Sequence, residues 1–355
     1  MERCRICVMP DTKPDHVFVD GVCPACRSAE ETTDYLGEEA LIELLEKHDG
    51  EVIVPSSGGK DSTYQALRLI ELGAHPTVVT ATTCHLTSMG RANIDNLSRF
   101  ATTIEVTANR AVRAKLNRLG LEWVGDISWP EHASIFSTPF RLAAQTGIKL
   151  IMYGENPQRQ YGGPAGTDSA QQLTERWVQE FGGFLGLRPT DFYGVAGITA
   201  RDMADYETEY PDGVEAHFLG QYEPWNSHRN AKVSIDNGWQ FPEIPPCTAN
   251  WWRFENLDNA QTGIHDHIMY RKYGYGRGCA QISVDVRNGV VDREFALDWV
   301  REHDGQFPQQ YMGIGMGEIL DDIELPLKDF NNLLEAYTNW DLFDGEVNAR
   351  PIPKC

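Results

Sequence analysis

Two groups of residues in this chain have types and spacings that could do chemistry. The first is the string Ser57-Gly58-Gly59-Lys60-Asp61-Ser62. Glycines let backbone N–H groups approach an anion, the lysine supplies positive charge, and the hydroxyls of Ser57 and Ser62 can bond phosphate oxygens. A kinase-type P-loop would need glycine five residues before the Gly of Gly-Lys, and Ser or Thr after the lysine. Val54 and Asp61 stand there instead. An acid beside phosphate repels it unless the acid holds Mg²⁺. The string therefore suits gripping a pyrophosphate leaving group with its magnesium, rather than moving a terminal phosphoryl. A glycine turn with no ligand is the plainer alternative.

The second group is Cys4-x2-Cys7 and Cys23-x2-Cys26, with fifteen residues between the pairs. Each pair lets one tight turn present two thiolates, and two such turns close a tetrahedron around Zn²⁺. Asp20-Gly21, inside an apolar run, signals the hairpin that would bring the second pair back beside the first. Four cysteines leave no open position, so the expected role is structural. Arg3, Arg5 and Arg27 could offset the excess negative charge. Two unrelated cysteine pairs, or an iron–sulfur cluster, are the competing readings.

The elements that would position the loop are legible. Glu51–Pro55 is a β-branched run leading straight into it, and a helical pattern with Ala66, Leu67, Leu69 and Ile70 follows, stopped by Gly73. Thr77–Thr82 reads as the next strand. In doubly wound sheets ligands sit beyond the carboxyl ends of the strands, so backbone near Thr80 and Ala81 could meet a base. Helical patterns cover about 91–100, 109–119 and 138–146, and strand-like runs cover Thr103–Val106 and Ile148–Tyr153. The last run enters Gly154-Glu155-Asn156 at the same edge. Glu155 is a candidate magnesium ligand or substrate contact, or else a solvated loop acid. These alternations define an α/β class with a doubly wound parallel sheet.

Together these residues resemble the N-acetyl sugar amidotransferases of bacterial lipopolysaccharide and flagellar-glycan biosynthesis. The resemblance rests on Cys4-x2-Cys7-Val8-Met9-Pro10-Asp11-Thr12, Gly21-Val22-Cys23-x2-Cys26, the Ser57–Ser62 string, and Gly154-Glu155-Asn156 followed by Tyr161-Gly162-Gly163. It continues through Phe218-Leu219-Gly220-Gln221-Tyr222-x2-Trp225, Lys272-Tyr273-Gly274-Tyr275-Gly276-Arg277 and Asn288-Gly289 to Arg293-Glu294. It implies an N-type ATP pyrophosphatase fold over 35–220, a zinc-ribbon-like module over 1–34 and a mostly helical substrate region over 221–355. It further implies ATP, Mg²⁺ and structural Zn²⁺. The amide oxygen of an acetamido group on a nucleotide-activated sugar would be adenylated, and ammonia would displace AMP to leave an acetamidino group. Lys60, Asp61, Glu155 and Arg277 would carry the chemistry. Ser57, Gly58, Gly59, Ser62, Thr80, Ala81, Gly154 and Asn156 would join Lys60 and Asp61 in holding the nucleotide. A separate glutaminase with a cyclase-like channel protein would supply ammonia, since Glu2 stands where a built-in N-terminal glutaminase needs its cysteine. The family tends to have Phe where Tyr273 and Tyr275 sit, so the sugar is not carried over.

In the last third, Trp225, Trp239, Trp251 and Trp252 could stack on sugar faces, although buried packing is their commoner use. Ile264–Tyr273 reads as a helix entering the glycine-broken turn that carries Arg277, a residue suited to bidentate phosphate recognition. His265 and His267, two apart on that helix, read as polar surface. The helical patterns at 292–302 and 326–338 look like packing elements. Arg110, Arg113, Lys115 and Arg118 read as a solvated helix face, or less simply as a docking strip.

Lys and Arg number 31 against 52 Asp and Glu, a formal charge of -21. Such a chain repels a phosphate backbone, which argues against nucleic acid as a partner. No apolar run has membrane-spanning length, and the isolated remaining cysteines make no disulfide framework, which together point to the cytoplasm. The charge weighs against the main rival, a tRNA-thiolating ATP pyrophosphatase with Cys84, Cys247 or Cys279 as sulfur carrier. So does the lack of a further C-x2-C pair. A non-catalytic nucleotide sensor would not require Lys60 and Asp61 together.

Overall fold

The computed structural model describes residues 1–14, 16–31, 34–162, 173–347 and 350–354. Gly163 of the Tyr161-Gly162-Gly163 motif lies outside them. At the N-terminus Asp20 and Gly21 both have positive φ, 49° and 73°, which is the type I′ turn the Asp-Gly pair calls for. Val19 and Val22 pair across it. The backbone N–H of Cys23 then reaches the Sγ of Cys4 at 3.3 Å, and helix α1 (Pro24–Glu31) carries Cys26.

The centre is a five-stranded, wholly parallel sheet in the order β3-β2-β1-β4-β5. Its strands are β1 (Glu51–Pro55), β2 (His75–Ala81), β3 (Thr102–Val106), β4 (Leu150–Tyr153) and β5 (Glu215–Phe218). Helices α2 (Gly37–Lys47), α3 (Lys60–Glu71), α4 (Ser88–Leu97), α5 (Arg110–Val124) and α6 (Trp129–Thr146) accompany it. Alternate residues of each strand enter two different cores. Val52, Val54, Val78, Leu150 and Met152 pack with Leu41 and Leu45 of α2 and Leu69 of α3. Ile53, Val79, Ile151, Tyr153 and Phe218 pack with Leu116 of α5 and Trp129 and Phe140 of α6. Both faces are thus covered, which is the doubly wound arrangement expected.

Helix α6 starts well before the expected 138–146, at Trp129. Pro130 falls in its first turn, where no N–H is needed. Pro139 is interior and cannot donate to the carbonyl of Ile135. The Tyr153 hydroxyl donates to that carbonyl instead, at 3.2 Å, so a residue of β4 satisfies an acceptor that the proline leaves open. Short helices α7 (Pro157–Tyr161), α8 (Glu175–Phe181) and α9 (Ala200–Met203) lie between β4 and β5.

Residues after 221 form α10 (Ser227–Asp236), α11 (Thr262–Tyr273), α12 (Arg277–Arg287), α13 (Arg293–His303), α14 (Met316–Asp322) and α15 (Leu327–Tyr337), with two small hairpins. Helix α10 packs along α3. Helices α12 and α13 share a core with the cysteine module: Tyr275, Ile282 and Val300 lie against Val8 and the four thiols. Arg293 donates to the carbonyls of Cys4 at 2.8 Å and Cys7 at 3.0 Å.

Of the four basic positions of α5, Arg110 and Lys115 are exposed and Arg118 half-exposed, as a solvated face requires, while Arg113 turns inward. Arg113 is buried and donates to Ser134 Oγ at 2.9 Å, Arg110 reaches the Cys84 carbonyl at 3.0 Å, and Lys115 the Ala196 carbonyl at 2.8 Å. Arg118 pairs with Glu122. Their spacing spreads them around the helix, and each finds a different acceptor.

Candidate functional site

Strand β1 delivers the chain into the glycine loop at the carboxyl edge of the sheet. Gly58 has φ +81°, and a Cβ there would lie 2.7 Å from Ile94 Cγ1; only glycine meets both demands. Ser56 Oγ accepts the Gly58 N–H at 2.9 Å and bonds Ser62 Oγ at 2.7 Å. Helix α3 starts at Lys60 with no side-chain cap on its N-terminus. Its first-turn N–H groups face the loop and favour an anion there.

Lys60 is 2% exposed and ion-pairs with Asp61. Its ammonium stands 6.0 Å from the ring centre of Trp252 and 5.7 Å from that of Phe254. Burial works to lower its pKa, but the carboxylates of Asp61 and Glu255 outweigh burial and raise it, so the lysine stays cationic. The segment after β5 anchors the loop from outside. Ser234 Oγ donates to the Lys60 carbonyl at 2.7 Å, and Trp239 Nε1 donates to the Gly58 carbonyl at 2.9 Å.

The loop opens into a cleft of about 510 Å³. Helix α6 lines it with Glu131, His132, Ile135 and Pro139, spaced for one helical face. Val79, Ala81 and Thr83 line it from the end of β2, and Gly154 and Glu155 from the end of β4. By the same alternation the Thr80 side chain turns to the other face, where its hydroxyl is buried. Asn156 is one residue beyond the main cleft; it borders a smaller one with Tyr35 and Arg159. The far wall comes from Phe254–Asn259 and Arg277.

Carboxylates crowd this space. Burial first, and then the Asp61 carboxylate, push the Glu155 carboxyl up to about 7. Burial likewise pushes Asp258 up to about 6, opposed by a hydrogen bond with Ser57. Arg277 begins α12 and spreads its guanidinium on Asp266, with Nη2–Oδ1 2.9 Å and Nε–Oδ2 3.1 Å. The bidentate geometry expected for a phosphate is made here with a neighbouring carboxylate, at the edge of the cleft.

Several residues of this site gave no signal in the sequence: Asn230, Ser234, Glu255 and Asp258. All lie far along the chain from the loop they meet. Trp239 lines the cleft, Trp225 packs edge-on against Tyr64, and Trp251 and Trp252 both donate their indole N–H to Asp285. The two histidines of α11 are not polar surface: His267 is 3% exposed beside Phe307, and His265 lines the cleft beside Asp126 and His132.

The cysteine module fits a single zinc. All four thiols are buried and their sulfurs lie within 4.8 Å of one another. Cys7 and Cys23 are 3.7 Å apart, close to the roughly 3.8 Å edge of a tetrahedron with ~2.3 Å zinc–sulfur bonds. No protein ligand is missing from that shell.

A parallel α/β sheet with an uncapped helix, a glycine-lysine loop and crowded carboxylates in one cleft at its carboxyl edge is the architecture of an enzyme. Residues 248–350 match the family model described as LPS biosynthesis protein WbpG-like, C-terminal domain. That match supports the resemblance to the sugar amidotransferases and connects the helical C-terminal region with lipopolysaccharide biosynthesis. No curated protein matches the chain. No helix among the described residues is long and apolar enough to cross a membrane.

Proposed function

We propose that the chain is an ATP-consuming amidotransferase that converts an acetamido group of a nucleotide-activated sugar into an acetamidino group. The observation that carries this reading is the pairing of Lys60 with Asp61 at the mouth of an uncapped helix, in a cleft that also holds Glu155. An amide carbon is a poor electrophile and its oxygen a poor leaving group. Transfer of AMP to that oxygen corrects both, with release of pyrophosphate. The loop N–H groups, Ser57, Ser62 and Lys60 would grip the pyrophosphate, and Asp61 would hold its Mg²⁺. Ammonia then attacks the activated carbon, loses a proton and displaces AMP.

Ammonia from a partner glutaminase fits an acidic chain with no recognisable glutaminase nucleophile. Free ammonia is mostly ammonium at neutral pH, and ammonium cannot attack. The competing tRNA-thiolation reading is disfavoured by its candidate thiols. Burial raises the Cys84 thiol and pushes Cys247 and Cys279 up to about 12, whereas sulfur transfer needs a thiolate.

The test is amidine formation from a nucleotide-linked acetamido sugar and ATP, with pyrophosphate as second readout. Ammonium chloride at alkaline pH is expected to support the purified chain, glutamine only when the partner is added. Glutamine use by the chain alone would overturn the two-component scheme. Sulfur insertion into tRNA would overturn the assignment.

A further inference from the structure

We propose that Asp126, His132 and His265 form a second metal site, facing the cleft and selective for a first-row divalent cation that accepts nitrogen and oxygen ligands. The three come from separate places: the turn after α5, the first turn of α6 and the first turn of α11. Asp126 Oδ1 is 2.8 Å from His265 Nδ1, and Oδ2 is 3.4 Å from His132 Nδ1. One ligand atom from each residue lies within 4.8 Å of the others.

The surroundings hold this set rigidly. The Ser128 N–H donates to Asp126 Oδ1 at 2.8 Å. The Gly183 carbonyl lies 3.4 Å from His132 Nδ1, and a Cβ on Gly183 would come within 2.7 Å of the same nitrogen. Gly183 has φ +83°, so that loop is shaped to the imidazole.

Two hydrogen bonds between a carboxylate and two imidazoles could explain the cluster without a metal. The metal is favoured by the convergence of the same nitrogen, Nδ1, of two imidazoles from separate segments on one buried carboxylate at the cleft wall. Glu131, next to His132, has side-chain exposure of 9% and lines the same cleft. Its Oε2 accepts from Asn117 at 2.8 Å and Gln261 at 2.7 Å, but its Oε1 accepts no hydrogen bond and stands 3.8 Å from Arg113. Arg113 already answers that oxygen as an ion pair, so Glu131 adds negative charge to the cleft wall without being a ligand. Two imidazoles and one carboxylate leave coordination positions open, the pattern of reactive rather than closed sites. Because His132 and His265 line the cleft, those positions would take water or an oxygen of a bound ligand.

The test is cobalt loading of the metal-stripped full chain. Two Co²⁺ per chain are expected. One gives intense thiolate-to-cobalt charge transfer from the cysteine shell, and the other only weak visible bands. His132→Ala with His265→Ala is expected to lose the second equivalent, keep the charge-transfer band and keep its far-ultraviolet circular dichroism. If that variant does not fold, His265→Asn is titrated with Mn²⁺ alone, followed by electron paramagnetic resonance; at least tenfold weaker binding than wild type is expected. Uptake of the thiolate-bound equivalent alone by wild type would overturn the proposal. So would a second equivalent that survives the double substitution, or unchanged Mn²⁺ affinity in His265→Asn.

Discussion

The side-chain amide of Asn230 donates to Oδ1 of Asp61 at 2.9 Å, while Oδ2 of the same carboxylate pairs with Lys60. Helix α10 thereby fixes the one acid in the glycine loop from outside the sheet. The carboxylate is aimed before any ligand arrives, which is the condition for electrostatic preorganisation.

Asn230→Ala is accordingly expected to lower pyrophosphate release about tenfold, the effect of losing one hydrogen bond to a charged group. The fold should persist, because α10 keeps its other contacts with α3. Steady-state pyrophosphate release with saturating ATP measures it. An unchanged rate would mean that the Asp61 orientation is set elsewhere.

Lys60→Ala removes the only cation in the loop and should reduce turnover roughly a hundredfold or more. Circular dichroism of the purified variant should match wild type. Turnover within a few-fold of wild type would exclude the loop from the chemistry.

Glu155 should leave a signature in stability against pH. Its folded pKa, about 7, lies above the ordinary value of 4.5. Between those values the folded protein holds a proton that the unfolded chain has lost, so this group's contribution falls as pH rises through the window and is flat above it. Glu155→Gln has no such penalty. Denaturant midpoints measured from pH 5 to 8 should show wild type losing ground to the variant as pH increases. Parallel curves would contradict the assigned burial of charge.

Cys23→Ser should release the thiolate-bound zinc, read as loss of one zinc equivalent per chain by elemental analysis. Because the cysteine module shares its core with α12 and α13, the thermal midpoint should fall as well. A variant that keeps its full zinc content would refute a closed four-cysteine shell.

Local patterns made much of this molecule readable. Strand β1 and the glycine loop announce themselves because a β-branched run, a glycine turn and a helical period succeed one another without a gap. Asp20-Gly21 predicts its own turn because type I′ geometry needs positive φ at both positions, and few residue pairs supply it. Helix α6 was half hidden: the expected helical pattern covered only about 138–146, whereas the helix runs from Trp129 with Pro130 in its first turn and Pro139 inside it. Its continuity depends on Tyr153, a residue on another element that supplies the missing donor to Ile135. His265 and His267 were misjudged because their spacing says only that they point different ways. It does not say that both ways are occupied, one by Phe307 and the other by Asp126.

The sequence by itself determined the chemistry offered at the loop and in the cysteine pairs, because those residues act with neighbours a few positions away. It also determined the parallel α/β class, because strand and helix periods are local. Only the tertiary structure decided the remainder of the site: Asn230 on Asp61, Trp239 on Gly58, Glu255 and Asp258 in the cleft, and the meeting of Asp126, His132 and His265. Those contacts join segments up to about 200 residues apart. Their geometry follows from how α10 and α11 dock on the sheet, and docking is set by the sum of many weak apolar contacts that no short stretch of chain records.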